Sequence, residues 1–491
     1  MGTTTDGAVE HIDVLVIGAG ISGIGCGYYL QRDHPGRSYA ILEARAATGG
    51  TWDLFKYPGI RSDSDLFTFG YEFKPWVSEL AIADGEEILR YIREAASENG
   101  IDKKIRLSHR VLSAAWSTVD RRWLVDVERT DTGETLQISA NWIYAGTGYY
   151  RYDQGYTPQL PGIEHYQGQL VHPQQWPDDL DYAGKHVVVI GSGATAVTLV
   201  PAIAQTAGHV TMLQRSPSYI LSLPSKDALS NLMLRLLGAE RGYELARRFN
   251  VFRQTTVYKL CQRYPKRSRA VLRRLTAHQL PDSYPVDDHF RPKYDPWDQR
   301  LCIVPDGDLF KAIRTGKASV VTGTIETFTE NGIRLGSGEE LPADIVITAT
   351  GLQLLVFGGI NISVDGQPLN IPEALAFKGM MLGGLPNFVF MIGYTNASWA
   401  LKVGPVCEHF SRLLSYMDEA GYDSCVPEVP YPNMTTKPLL DFSAGYVQRS
   451  LHELPRQGTY EPWYLAMDCR VDMKNLKEGP VEDRNLCFTA R

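Results

Sequence analysis

The chain has 491 residues, of which 44% are apolar and 21% charged, and its formal net charge is −7. This length exceeds one ordinary domain, and the composition argues against a collagen-like or disordered chain. The seven cysteines include no C-x-x-C pair, which argues against a dithiol reductase site and predicts a reducing, cytoplasmic location.

The first predicted element is an apolar strand, residues 12–17, which leads into a glycine-rich turn at residues 18–23. The turn reads Gly-Ala-Gly-Ile-Ser-Gly and matches the dinucleotide-binding fingerprint. Its three glycines permit, in order, the tight turn, the approach of the backbone to a pyrophosphate, and close packing of helix on strand. A second strand ends at Glu43, where a carboxylate would accept hydrogen bonds from the ribose hydroxyls of FAD or NAD. The candidate contacts are Gly18, Gly20, Ser22, Gly23 and Glu43.

Two further motifs lie between this turn and the next. Residues 49–63, here called the long motif, read Gly-Gly-Thr-Trp, four residues, Tyr-Pro-Gly, three residues, Asp. Residues 166–178, here called the short motif, read Tyr-x-Gly, three residues, His, three residues, Trp-Pro-Asp, and they stand just before the second turn. We interpret the His and Trp of the short motif as residues that set the geometry between two domains rather than as metal ligands.

The second glycine-rich turn, residues 191–196, follows the apolar strand 187–190 and matches the same fingerprint with Ala in the last position. The next strand runs into Arg215, where the first unit has a carboxylate. A guanidinium favours the 2′-phosphate of NADPH, which a carboxylate would repel. The alternative is a solvated charge at the end of a strand. The candidate contacts are Gly191, Ser192, Gly193, Ala194, Thr195, Ala196, Arg215 and Ser216.

An internal repeat predicts two homologous nucleotide-binding units, although two unrelated β-meanders would give a similar pattern. In each unit a β-rich stretch returns to a strand that ends in a Thr-Gly turn, at residues 147–148 and again at residues 350–351. The units are therefore predicted to be split along the chain. We expect an FAD-binding domain at residues 1–150 and 350–491, an NADPH-binding domain at residues 151–225 and 301–349, and a helical, basic insertion at residues 226–300.

The insertion combines apolar periodicity with an excess of positive charge. Between residues 231 and 280 there are twelve Lys or Arg and two Glu. Such a surface could contact an anionic membrane, attract the polyphosphate of NADPH, or pair with acidic surface elsewhere on the protein. No nucleic-acid motif accompanies the charge, so no nucleic-acid partner is expected. The apolar residues that recur at helical spacing are Leu232, Leu236, Leu245, Phe249 and Phe252.

The long motif resembles the fingerprint of class B Baeyer-Villiger monooxygenases, and every fixed position of that fingerprint is met. The short motif is similar to the family's second fingerprint, with Tyr166 in place of the usual Phe. Residues 295–302 and 393–399 resemble the mycobacterial ethionamide-activating subgroup, and the likeness covers nearly the whole chain. The resemblance implies an α/β fold with two Rossmann-like dinucleotide-binding domains, for FAD and NADPH, and a helical insertion.

The resemblance also implies a reaction. NADPH would reduce FAD, and O2 would form a C4a-peroxyflavin that converts ketones to esters or lactones and oxidises sulfides or thioamides. Arg300 would be the fixed cation beside the oxyanion, with Asp63 holding that arginine in place. No protein-bound metal is expected. The residues implied along the cofactors are Gly50, Thr51, Trp52, Asp53, Leu54, Asp63 and, through its backbone, Val111.

Two departures from cyclohexanone-type relatives limit this transfer. Gln299 stands where many of them have a Lys that helps to bind the 2′-phosphate, and their C-terminal Trp-x-x-Gly-x-Asn-x-Pro-Gly-Lys segment is absent. NADPH selectivity is therefore expected to depend more heavily on Arg215 and Ser216. Two other functions stay open: a flavin-containing N- or S-monooxygenase without Baeyer-Villiger activity, and a flavoprotein that docks through its basic insertion.

Overall fold

Two sheets, each beginning beside one of the glycine-rich turns, organise the chain in a computed structural model that describes residues 9–299, 301–431 and 434–490. The first sheet contains β1 (Glu10–Ile17), β2 (Tyr39–Leu42), β3 (Ile105–Arg106), β4 (His109–Ser117), β5 (Arg122–Arg129), β6 (Thr135–Ala145), β17 (Asn361–Val364), β18 (Gln367–Pro368) and β21 (Phe388–Phe390). Their order is β18-β17-β4-β5-β6-β1-β2-β3, with β21 also paired to β6. The strands β6, β1, β2 and β3 are parallel, whereas β4, β5 and β6 form an antiparallel meander.

Strand β1 is buried on both faces, which explains its continuous apolar sequence. Val14 and Val16 belong to the core shared with α1 (Ile21–Asp33) and α10 (Val403–Ala420). Leu15 and Ile17 point to the opposite face and belong to the core that contains Trp123 of β5. The carboxyl end of this strand, where the first turn begins, therefore lies between two cores.

The second sheet contains β7 (Gln169–Val171), β8 (His186–Ile190), β9 (His209–Gln214), β12 (Ala318–Thr322) and β16 (Ile345–Thr348). Their order is β12-β9-β8-β16-β7, and these neighbours pair in parallel. The helices α5 (Ala194–Ile203) and α9 (Asp308–Arg314) contribute to the core on one face. On the other face packs the small antiparallel sheet of β13 (Ile325–Thr329), β14 (Gly332–Leu335) and β15 (Glu340–Pro342). The predicted fold class, with two Rossmann-like units, is confirmed.

The chain passes from the first sheet to the second after β6 and returns after β16, while the exact domain boundaries stay a prediction. The other strands are β10 (Ile220–Leu223), β11 (Cys302–Pro305), β19 (Ala376–Phe377), β20 (Met381–Leu382), β22 (Tyr422–Pro427), β23 (Lys437–Pro438), β24 (Arg456–Gln457) and β25 (Leu486–Ala490). The other helices outside the insertion are α2 (Thr51–Leu54), α3 (Leu66–Phe69), α4 (Gly85–Glu98), α8 (Val286–His289), α11 (Gly445–Ser450) and α12 (Cys469–Asp472).

The insertion lies between the paired strands β10 and β11 and is helical, as its periodicity predicts. It contains α6 (Ala228–Arg263), which is kinked at Gly238 with φ of 78°, and α7 (Pro265–Ala277). The two halves of α6 pack on each other, and Asn250 Nδ2 of the second half donates a hydrogen bond to Ser230 Oγ of the first at 2.9 Å. In the described part of the chain, no helix is both long enough and apolar enough to cross a membrane.

Candidate functional site

The first glycine-rich turn is closed so tightly that Gly18 and Gly23 cannot carry side chains. A Cβ built on Gly18 would lie 2.7 Å from Gly146 O, and one built on Gly23 would lie 1.9 Å from Gly18 O. Gly20 begins α1 without a side-chain cap, and Ser22 is buried in the first turn of the helix. The amide groups at this helix end are therefore available to a phosphate.

Glu43 lies beside the same turn at the end of β2 and is buried. Its Oε2 accepts a hydrogen bond from the Ala19 amide at 2.8 Å, and its Oε1 accepts one from the Arg45 amide at 3.1 Å. Burial raises the pKa of the Glu43 carboxyl, and these two amide donors oppose the rise. Because each carboxylate oxygen can accept a second hydrogen bond, the predicted ribose contact is compatible with this geometry.

The first half of the long motif lies directly on the first turn. Gly50 has φ of 56°, and a Cβ built on it would lie 3.2 Å from the Cα of Gly20. The next residues form α2, in which Thr51 Oγ1 shares a hydrogen bond with Tyr152 OH at 3.3 Å. Within this single helical turn, Trp52 packs against the core of the first unit and Leu54 against the core of the second. The motif therefore begins at the boundary between the two units.

Asp53, also in α2, is held by cations that the sequence analysis did not identify. Its Oδ2 lies 2.7 Å from an Arg45 nitrogen, and its Oδ1 lies 2.7 Å from an Arg93 nitrogen. Both partners come from outside the motif, and Arg93 belongs to α4. These ion pairs fix α2 against the first unit, while the predicted contact of Asp53 with a cofactor stays a prediction.

The second half of the long motif reaches the second nucleotide unit. Gly59 has φ of 75°, and a Cβ built on it would lie 2.7 Å from the Cβ of Ala202 in α5. Arg61 Nη1 lies 2.5 Å from Asp308 Oδ2 at the start of α9, and the arginine side chain is only 12% exposed. The 15-residue long motif thus spans from the first turn to the helices of the second sheet.

The second glycine-rich turn is closed in the same way but is more open towards solvent. Gly191 has φ of 137°, and a Cβ built on it would lie 2.3 Å from Ala349 O. Gly193 and Ala194 are exposed, α5 begins without a side-chain cap, and Ala196 is fully buried against the core. Ser192 Oγ instead shares a hydrogen bond with Ser218 Oγ at 2.8 Å. An uncapped, accessible helix end of this kind suits a pyrophosphate.

Arg215 and Ser216 follow β9 at the edge of this second turn, and both are exposed. Within the described residues, the Arg215 side chain makes no ion pair and no hydrogen bond. The Ser216 carbonyl oxygen accepts a hydrogen bond from Ser192 Oγ at 3.2 Å, which ties this strand end to the turn. A guanidinium without an internal partner beside a phosphate-binding turn has the chemistry to bind a second phosphate.

The proposed catalytic residues are described only in part. Arg300 lies outside the described residues. Cys302, two positions later, begins β11 and lies beside the second turn, where its Sγ is 3.9 Å from Ser192 O. Asp63 is half-buried in the loop that ends the long motif. Burial raises the pKa of Tyr57 to about 12, a hydrogen bond with Thr195 of the second turn opposes this rise, and the charge of Asp63 adds to it.

The short motif fastens the segments that connect the two sheets. Gln174 Nε2 donates to the carbonyl oxygens of Arg151 and Tyr152 at 2.7 and 3.0 Å. His172 Nδ1 accepts from the Gln174 amide at 3.2 Å, and a Cβ built on Gly155 would lie 1.9 Å from the histidine ring. This packing agrees with the interdomain role predicted for the histidine, whereas Gln174 has no local signal that sequence reasoning could have used.

Val111 lies in β4, where it is buried and pairs with Val127 of β5, followed by a β-bulge. Its predicted backbone contact with an adenine stays a prediction.

The two turns together fit two dinucleotides. Each turn presents an uncapped helix end, and each begins with a glycine that has no space for a side chain. The arrangement can hold one nucleotide at each end of the long motif.

Comparisons with known proteins identify relatives over the whole length. A family model described as flavin-binding monooxygenase-like matches residues 81–357, and one described as an NAD(P)-binding Rossmann-like domain matches residues 16–80. The chain is 52% identical over 483 residues to the FAD-containing monooxygenase EthA of Mycobacterium tuberculosis, with 98% of each chain covered. It is 47% identical over 481 residues to the probable FAD-binding monooxygenase AlmA of Acinetobacter baylyi, with 98% of this chain and 96% of that protein covered.

Solved structures with the same fold share much less sequence. An oxidized steroid monooxygenase bound to NADP superposes with a TM-score of 0.74 at 22% identity, covering 98% of this chain and 100% of that one. A cyclohexanone-bound cyclohexanone monooxygenase superposes with a TM-score of 0.76 at 17% identity, with the same coverage. An OTEMO complex with FAD and NADP gives a TM-score of 0.74 at 20% identity, covering 97% of this chain and 99% of that one.

Proposed function

Because the chain belongs to the flavin-binding monooxygenase-like family and is an FAD-containing monooxygenase that uses NADPH, we propose that it carries out Baeyer-Villiger oxidation. In this proposal it inserts one oxygen atom of O2 into small ketones, giving esters or lactones, and it also oxidises sulfides or thioamides. FAD reduced by NADPH supplies the activation of O2, which no protein side chain can provide. The chain's own residues bind the two cofactors, orient the reacting groups and stabilise the negative charge that develops on oxygen.

The observation that carries the proposal is the span of the long motif. Gly50 lies on Gly20 of the first turn, Gly59 lies on Ala202 behind the second turn, and Arg61 pairs with Asp308. One continuous segment thus contacts both nucleotide units. A hydride can pass between two bound cofactors only if their reactive rings meet in a fixed geometry. In this proposal, the motif that resembles the Baeyer-Villiger fingerprint is also the segment that sets how the two cofactor rings approach each other.

The binding residues follow from the two turns. We propose that the helix ends at Gly20 and Gly193 receive the pyrophosphates of FAD and NADPH, respectively. Glu43 accepts the ribose hydroxyls of FAD through the lone pairs that its amide contacts leave unused. Arg215 binds the 2′-phosphate of NADPH, since it is exposed beside the second turn.

The catalytic roles follow from charge. Baeyer-Villiger oxidation develops negative charge on oxygen, and a fixed guanidinium stabilises it because arginine stays protonated in almost any environment. We assign this role to Arg300. Asp63 orients that guanidinium, an assignment supported by its half-buried position at the end of the long motif, close enough for its charge to act on Tyr57 of the same motif. Asp63 is therefore a positioning residue.

The second candidate is a flavin-containing monooxygenase that oxidises only soft nitrogen or sulfur atoms. The looser motif of such enzymes commonly lacks the Trp-Pro pair that stands here at residues 176–177. Trp176 packs against the core of the second unit and contacts Tyr182 with ring centroids 6.4 Å apart. The Trp176-Pro177 pair and the complete long motif favour the ketone reaction.

Incubation of the purified yellow protein with NADPH and ¹⁸O2 tests the proposal. The substrates are linear ketones, aryl ketones and sulfides, and the products are identified by mass. We expect esters that carry one ¹⁸O atom, together with labelled sulfoxides. Catalase is added so that free peroxide cannot oxidise the sulfides, and a reaction without NADPH is the control. Labelled sulfoxide with no ester from any ketone would favour the second candidate.

A further inference from the structure

The insertion presents a concentration of apolar side chains to solvent. Within the described residues, 11 of the 21 exposed large apolar side chains lie between Leu229 and Leu275. That segment is about a tenth of the chain. Scattered exposed apolar residues need no explanation, but a contiguous group marks a contact surface. The group consists of Leu229, Leu232, Leu236, Leu237, Leu245, Phe252, Val257, Leu260, Tyr264, Val271 and Leu275.

The members of this group in α6 lie on the side of that helix that faces away from the rest of the protein, while Val271 and Leu275 are exposed on α7. The body-facing side is fixed by Arg247, whose guanidinium donates to carbonyl oxygens at Phe67 and Gly70, and by Asn231, which donates to Glu79 O. The first half of α6 exposes its leucines at positions 229, 232 and 236, and the second half exposes residues 245, 252 and 260. Both series follow helical spacing. The two packed halves therefore form a hairpin with apolar rows on its outer side.

The tip of this hairpin is its most exposed apolar part. Leu236 is 73% exposed and Leu237 is 49% exposed, and both directly precede the kink at Gly238. An exposed apolar tip of this kind suits insertion into the boundary of a lipid layer.

The same helices carry cations that have no acidic partner among the described residues. Several of the basic residues do form ion pairs, such as Arg253 with Asp227 and Lys259 with Asp468. Another group makes no ion pair within the described residues, although Arg263 and Arg267 lie over the Tyr264 ring. The two cation–ring contacts bring positive charge next to an exposed aromatic side chain. The unpaired group is Arg241, Arg263, Lys266, Arg267 and Arg274.

We propose that α6 and α7 form a docking surface for an anionic lipid bilayer. Apolar side chains would enter the boundary between headgroups and acyl chains, while the unpaired cations contact phosphate groups. A second copy of the chain is a poorer partner for this surface, because a symmetric contact would bring unpaired arginines against each other. A soluble polyanion would satisfy the charges but would leave the leucines and Phe252 exposed to water. The docking proposed for this surface is independent of the proposed oxygenation reaction.

Co-sedimentation of the FAD-loaded, full-length protein with vesicles tests the proposal. One vesicle set is phosphatidylcholine alone, and the other contains phosphatidylglycerol as well. We expect binding to the anionic vesicles, weakening as salt is added, and little binding to the neutral ones. The Leu236→Ser/Phe252→Ser double variant should bind much more weakly, whereas Val119→Ser, at a 91% exposed position elsewhere, should bind as wild type does.

A charge-matched comparison separates a local surface from overall charge. The triple variant Arg263→Glu/Lys266→Glu/Arg267→Glu should lose at least about a hundredfold in affinity, since removing each cation near an anionic surface costs about fivefold and each glutamate adds repulsion. The control Lys103→Glu/Lys311→Glu/Lys474→Glu has the same net charge and changes exposed lysines elsewhere. Retained flavin absorbance shows that each variant is folded. Equal losses in the two triple variants, or no binding to anionic vesicles by the wild type, would overturn the proposal.

Self-association is the remaining outcome, and it is measured by sedimentation velocity. A dimer that Leu236→Ser dissociates, found together with no vesicle binding, would show that the hairpin contacts a second copy and would also overturn the lipid proposal. A monomer that binds anionic vesicles supports it.

Discussion

Gly59 of the long motif lies against Ala202 of α5 so closely that a Cβ built on the glycine would come within 2.7 Å of the alanine Cβ. Thr198 O is also 3.1 Å from that built atom. The loop of the first nucleotide unit therefore touches the helix that follows the second turn, with no space for a side chain. We therefore expect a displacement at this contact to change the separation of the two nucleotide units.

We expect Gly59→Ala to retain FAD but to slow the reduction of FAD by NADPH. The matched control is Gly133→Ala, because Gly133 has φ of 74° beside 75° for Gly59 and no atom within 4 Å of its built Cβ. Both changes carry the backbone cost of about 1–2 kcal/mol for a left-handed residue, and only the first also displaces α5. Stopped-flow absorbance of the flavin measures the rate. Equal rates in the two variants would mean that the contact does not control reduction.

The Arg61–Asp308 ion pair should act as a unit across the same boundary. Arg61→Gln and Asp308→Asn should each slow FAD reduction, and the double variant should lose little more than either single variant. For residues in contact, such coupling is about 0.5–3 kcal/mol. The rates of wild type, both single variants and the double variant complete the cycle. Additive losses would show that the two residues act separately.

The glycine turns could be predicted from the sequence because their cause is local. Gly18, Gly50 and Gly191 occupy backbone conformations with positive φ. A residue type that only the local backbone demands leaves a local signal. The fold class followed from these signals, since each turn joins a strand to a helix.

Partners brought together by the fold left no such signal. Asp308 lies 247 positions from Arg61 along the chain, and Arg93 approaches Asp53 only once α4 is folded against α2. The insertion shows the same limit, because periodicity at Leu236 and Phe252 predicts helices but does not say what covers their apolar face. In the structure those two side chains are exposed.

Asp63→Ala should impair oxygenation more than FAD retention. Without the carboxylate, the proposed cation keeps its charge but loses its orientation, so reducing equivalents are expected to leave as hydrogen peroxide. The measurement is the ratio of peroxide formed to NADPH consumed, with a ketone present. Asp63→Asn should recover part of the coupling if a hydrogen-bond acceptor is enough. An unchanged ratio in Asp63→Ala would assign Asp63 another role.

Arg215→Ala should raise KM for NADPH and leave KM for NADH nearly unchanged, because NADH lacks the 2′-phosphate. Loss of a charge-assisted contact is about 1.5–3 kcal/mol, or roughly tenfold to more than a hundredfold in affinity. Gln299→Lys should act in the opposite direction by adding a second cation near that phosphate. Steady-state kinetics with both nucleotides decides the matter, and equal losses would show that Arg215 supports the fold or the shared part of the nucleotide.

The central claim, that this chain is a Baeyer-Villiger oxygenase dependent on Arg300, is tested most directly in a single turnover. The flavin is reduced with NADPH without oxygen, then mixed with O2 and a ketone, and the ester is measured by mass. Wild type and the control Arg291→Ala, at an exposed arginine nearby, should form ester. Arg300→Ala should still be reduced but form none, because removing a group that stabilises an oxyanion costs about 3 kcal/mol or more. Ester from Arg300→Ala at the wild-type rate, or none from the wild type, would contradict the account.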